Sequence, residues 1–137
     1  MGMFDALEIS GSGLTAQRLR MDVTAENLAN AQSTNYRRKD VVLQQAQGAG
    51  GSFGAALDSA SSQGVEVAGV VQDSSPGRRV YDPGNPAADA QGYVTMPNVD
   101  SVTEMVNLID SSRSYEANVT AMQTAKTMFS RTLDILK

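Results

Sequence analysis

Three aspartates, Asp73, Asp82 and Asp89, lie close enough in the chain to converge. Carboxylates grouped in that way are the material of acid–base catalysis or of a metal site. Each, however, stands beside Ser, Pro, Gly or Ala, the company that a turn-forming aspartate keeps, and the turn reading is the favoured one. The run Ser10-Gly11-Ser12-Gly13 resembles a phosphate-cradling loop, yet it lacks the lysine of a P-loop and no strand precedes it. Two short basic runs, Arg37-Arg38-Lys39 and Arg78-Arg79, have only Tyr36 and Tyr81 as aromatic neighbours and read as solvated surface rather than as phosphate contacts. Cysteine and histidine are both absent, which removes disulfides, thiol chemistry, imidazole ligands and imidazole bases together. The chain is therefore expected not to be an enzyme and to hold no cofactor or metal.

With no reactive constellation to position, the elements themselves carry the reading. At 137 residues the chain is about the size of one ordinary domain. Hydrophobic residues make up 41%, but aromatics only 5% and tryptophan none, so burial falls to Leu, Val, Ile, Met and Ala and favours helical packing. A net charge of −4 argues against nucleic acid or an anionic membrane surface as the main partner. No apolar run approaches the roughly 20 residues of a membrane span. Met1 to Ser10 contains Asp5 and Glu8 and has neither a basic leader nor an apolar core, so it is not expected to be a cleaved signal peptide.

Three regions separate on composition: residues 1–35, 36–97 and 98–137. In the first, apolar residues recur one heptad apart at Leu7, Leu14, Met21 and Leu28, with a second stripe at Ala16, Leu19 and Val23 and with Ala25 at an intervening position. A helix with two apolar faces needs more than one partner. Gly11 and Gly13 weaken it by about 1 kcal/mol each relative to Ala. The middle holds nine of the twelve glycines and all four prolines. Its β-branched runs at Val41–Leu43, Val65–Val71, Arg79–Tyr81 and Tyr93–Thr95 read as short strands, with a tight turn at Asp82–Pro86. Between the first two lies a small, polar, glycine-rich stretch, about residues 46–64, expected to be a flexible loop.

The third region has the strongest periodicity. Steps of three and four connect Met105, Leu108, Ser112, Tyr115, Val119, Met122, Lys126, Phe129, Leu133 and Leu136, a pattern long enough for a coiled-coil seam. Ser101-Val102-Thr103-Glu104 has the form of a capping box. The fold class expected is α+β: long N- and C-terminal helices pairing as a coiled coil around a small β-rich middle. Because both helices are apolar on more than one face, the pair is expected to be completed by neighbouring subunits.

The segment Ser12 to Ala31 contains Ala25-Glu26-Asn27-Leu28-Ala29-Asn30 and resembles the N-terminal rod motif of bacterial flagellar axial proteins, whose hallmark is an Ala-x-Asn-aliphatic-Ala-Asn run. Ser111 to Ala121 is similar to that family's closing helix, and Val80 to Asp89 with Gly92 to Val99 are similar to proximal rod proteins of the basal body. Where many axial proteins continue with Thr-Pro-Gly-Tyr, this chain has Ser33-Thr34-Asn35-Tyr36.

The resemblance implies a structural rod subunit that transmits torque across the periplasm. It also implies export through the flagellar type III apparatus without cleavage, and other copies and adjoining rod proteins as partners. The residues expected at the assembly interface are Leu7, Leu14, Met21, Ala25, Asn27, Leu28, Asn30, Met105, Leu108, Tyr115, Val119, Met122, Phe129, Leu133 and Leu136. Asn27 and Asn30 suit either a role in fixing helix register through amide bonds or simple capping. The alternative reading is a helical adaptor or secretion chaperone that grips a partner's helix.

Overall fold

The computed structural model describes residues 3–46 and 64–135, with the side chains of residues 3, 4 and 135 left aside; the glycine-rich stretch 47–63 and Leu136 lie outside the described residues. Helix α1 spans Met3–Ala29, strands β1 to β4 span Lys39–Gln45, Val65–Gln72, Arg78–Tyr81 and Tyr93–Met96, and helix α2 spans Ser101–Ile135. At 1.5 Å per residue, α2 is about 52 Å long. The α+β class, the two long helices and the four short strands all match the sequence expectation.

The helices run antiparallel: Asn27, late in α1, meets Glu104, early in α2, and Gly13, early in α1, faces Asn118, far along α2. A side chain added at Gly13 would have its Cβ 3.1 Å from the Asn118 amide nitrogen, whereas one at Gly11 would make ordinary contact with the end of Met122 at 3.8 Å. Gly13 therefore lets the second helix come close, and α1 remains continuous through both glycines. After α1, Asn30 closes the helix by bonding its side-chain amide to the Glu26 carbonyl at 2.9 Å. Asn35 then takes a left-handed backbone, φ 66°, which asparagine tolerates better than other side chains.

Strands β1 and β2 form an antiparallel hairpin with a bulge: Val42 pairs Gly69 and Leu43 pairs Val67, leaving Ala68 as the extra residue. Strands β3 and β4 form a second antiparallel pair. In that pair Tyr81 and Tyr93 meet edge to face at 5.3 Å, and the Arg79 guanidinium lies 4.7 Å from the Tyr93 ring. The buried apolar set among the described residues is small: Ala16, Val23, Val41 and Val94.

Two sequence expectations are corrected. On α2, Glu104 and Ser111 are buried and Leu108, Ser112, Tyr115, Asn118, Val119, Met122, Ala125 and Phe129 are half-buried, with Glu104, Asn118 and Met122 against α1. Met105 and Lys126 of the expected seam are exposed, and the inward residues at those two places are Glu104 and Ala125, while Ser112 and Val119 of the expected seam stay half-buried. The facing part of α1 is built from small or polar residues, Gly13, Ala16 and Asn27, so small and polar side chains fit opposite it better than a second row of large ones. The capping box is also replaced. Asp100 is the cap: its carboxylate accepts from the Val102 amide at 3.2 Å and the Thr103 hydroxyl at 2.7 Å, while Glu104 turns inward.

Candidate assembly surface

At the end of the pair where α1 finishes and α2 begins, a polar cluster joins three elements. The Asn27 side chain bonds the backbone of Lys39 in both directions, donating to its carbonyl at 2.7 Å and accepting from its amide at 2.9 Å. The Tyr36 hydroxyl donates to the same Asn27 oxygen at 2.8 Å. From α2, Glu104 accepts from Arg38 Nε at 2.7 Å and, more weakly, from the Asn27 amide at 3.4 Å. Asn27 and Glu104 are each only 1% exposed. A buried carboxylate is tolerable only when paired and hydrogen-bonded, and Arg38 supplies both conditions. The hydrogen bond to Glu104 in turn raises the Arg38 pKa above its ordinary value. Burial first, then the Glu26 charge, raises that of Tyr36.

The sequence reading missed Tyr36, Arg38 and Glu104 as a unit. Arg38 and Lys39, read there as solvated, are half-buried and paired with Glu104 and Glu26, while Arg37 is exposed. The one available signal was Glu104 itself, which lies four residues before Leu108 and so continues the three-four spacing. The two asparagines divide the roles considered for them: Asn27 bridges neighbouring backbone, and Asn30 caps.

The opposite face of α2 is bare. Val102, Met105, Val106 and Ile109 recur at the spacing of one helical face, and each is more than half exposed. Farther along, Thr120, Thr124 and Thr127 each donate their hydroxyl to the carbonyl four residues earlier at 2.9 Å, so those donors are spent on the helix itself. On the hairpin, Val42, Val65, Val70 and Val71 are exposed. Of the other expected interface residues, Leu7, Leu14, Met21 and Leu28 line α1 half-buried, as do Leu108, Tyr115, Val119, Met122 and Phe129 on α2. Ala25 and Leu133 are exposed.

The three aspartates considered for catalysis do not form a site. Asp73 accepts from Ser75 and Asn98, both at 2.8 Å, and Asp89 from the Gln91 and Tyr93 amides, both at 2.9 Å, and from Arg79 at 2.7 Å. The Ser75 bonds lower the Asp73 pKa, and the Tyr93 amide leads in lowering that of Asp89. Asp82 uses its backbone to close the same turn. Among the described residues, no group of three acidic side chains is placed to hold a metal ion, and no helix is long and apolar enough to cross a membrane.

Residues 7–37 match the family described as flagella basal body rod protein, and residues 90–135 match the C-terminal family described as flagellar basal body rod FlgEFG protein. Along its length the chain is 46% identical to the flagellar basal-body rod protein FlgC of Escherichia coli O6:H1, covering 98% of each. It is also 46% identical to FlgC of Bacillus subtilis, covering all of both chains. The chain belongs to the FlgC family of flagellar basal-body rod proteins. FlgC of Borreliella burgdorferi, 39% identical over 100% of this chain and 99% of its own, shows that the likeness extends beyond these two organisms. The chain is thus a structural rod subunit of the flagellar basal body and assembles with other rod components. The matched N-terminal segment contains Asn27 and Tyr36, with Arg38 and Lys39 just beyond it, and the matched C-terminal segment contains Glu104, so the polar cluster joins the two matched segments.

Proposed function

We propose that this rod subunit polymerises through its terminal helices, the bare face of α2 docking on a helix of a neighbouring subunit and the packed helices carrying torque across the periplasm. The observation that carries the reading is the exposed stripe Val102, Met105, Val106 and Ile109. Covering what remains open of four such side chains contributes on the order of 4 kcal/mol, enough to favour association and too little to hold one contact permanently. The exposed valines of the β1–β2 hairpin supply lateral contacts in such an assembly. Export in an unfolded state through the flagellar type III apparatus, without signal cleavage, suits a chain with no cysteine to mispair. A catalytic role has no support in the side-chain chemistry.

Substituting Val106→Asp or Ile109→Asp tests the docking face, since both side chains are exposed and the monomer keeps its helix pair. Each variant is expected to be made and exported, to show unchanged circular dichroism, and to be missing from purified basal bodies, with swimming lost. Normal incorporation of both variants would sink the reading.

A further inference from the structure

We infer that Glu104 is the residue that sets the register of α2 against the rest of the subunit. Helix α1 and the long hairpin form one pinned unit, because Asn27 bonds the Lys39 backbone and the Ser12 hydroxyl accepts from the Val65 amide at 3.0 Å, fifteen positions earlier in α1. The second helix lies on this unit mainly through side chains that repeat. Leu108, Tyr115, Met122 and Phe129 stand seven residues apart, and burial of such a series is non-directional: a shift of one heptad, about 10 Å, presents apolar groups to α1 again. The intervening positions are different from one another. Glu104, Ser111, Asn118 and Ala125 also stand seven apart, and only the first can satisfy Arg38 and Asn27 together. Any shifted arrangement breaks the Arg38–Glu104 hydrogen bond and, when Glu104 stays inside, strands a buried carboxylate. A single buried polar position fixing helix register is an established device of coiled coils. Here it also fixes where the bare face of α2 stands relative to the hairpin.

The chain has no cysteine, so introduced pairs report register without background. Gly13→Cys with Asn118→Cys marks the present register, since a Cβ at Gly13 stands 3.5 Å from Asn118 Cγ. Gly13→Cys with Ala125→Cys, or with Ser111→Cys, marks a shift of one heptad either way. In the otherwise unchanged chain, and with Glu104→Gln or Asn98→Ala added, oxidation is expected to close the first pair at least tenfold more than either of the others. With Glu104→Leu, and with Glu104→Leu combined with Arg38→Met so that neither partner of the ion pair remains, a shifted pair is expected to close to a comparable extent. Retention of the first pair alone in both leucine variants overturns the inference. So does loss of helix in both without any shifted product, because Glu104 would then supply stability rather than register. The consequence for assembly rests on the docking reading above and is read separately, as incorporation of the double variant into basal bodies. A shifted chain that still incorporates normally leaves the register assignment standing and counts against the docking face.

Discussion

Arg38 and Glu104, sixty-six positions apart in the chain, meet at 2.7 Å with very different access to water: the arginine side chain is 23% exposed and the glutamate side chain 2%. The difference decides which partner the fold can do without. When Glu104 is removed, Arg38 can turn to solvent; when Arg38 is removed, the carboxylate stays inside without its cation.

Arg38→Ala is therefore expected to cost about 3 kcal/mol, near the lower end for breaking a buried pair, and Glu104→Ala distinctly less. Urea unfolding followed at 222 nm by circular dichroism gives both values. The double substitution should cost less than the sum of the two, since both remove the same interaction. Equal losses in the two single variants would show that access to water does not govern this pair.

The cap of α2 carries a dependence on acidity. Hydrogen bonds from Thr103 first, then from the Val102 amide, hold the Asp100 carboxyl below its ordinary value. A carboxyl whose folded pKa is depressed stabilises the fold above its unfolded pKa, near 3.8, and that contribution disappears as pH falls through the lower folded value. Acid titration is expected to loosen the start of α2 in this window. Asp100→Asn keeps a side-chain acceptor and should flatten the response, whereas Asp100→Ala should weaken the helix start at neutral pH as well. Amide shifts of residues 101–104, followed by nuclear magnetic resonance between pH 6 and pH 2, measure both.

The two glycines of α1 are expected to respond in opposite directions. Gly11→Ala adds a methyl group in ordinary contact with Met122 and should stabilise by up to about 1 kcal/mol through helix propensity. Gly13→Leu meets Asn118 at once and should destabilise by about 1–3 kcal/mol through overpacking. Thermal unfolding of the two variants side by side tests the contrast.

Much of this architecture was legible in the amino-acid order, because the forces behind it are local and periodic. The heptads that place Leu108, Tyr115, Met122 and Phe129 on one side of α2 are written every seven residues, and the β-branched runs fall on the four strands. What could not be read was the choice between Glu104 and Met105 for the inward position. Hydrophobic pattern favours methionine; the structure favours glutamate, because Arg38 and Asn27 approach from sixty-six and seventy-seven residues away. Pairing at such separations leaves no periodic trace. Likewise, Ser101 and Glu104 satisfied the spacing of a capping box, but spacing is silent on whether the glutamate is already engaged elsewhere. The cost of glycine in α1 was visible; its benefit depended on the neighbour that approaches Gly13.

The hydroxyls of Thr120, Thr124 and Thr127, folded back on their own helix, leave outward-facing methyl groups along the distal half of α2. Methyl groups attract by shape and contact area alone, with no preferred bonding angle. In the assembly proposed above, a neighbour seated there can rock or rotate slightly without breaking a directional bond, a mechanical compliance that suits the proposed torque-carrying role.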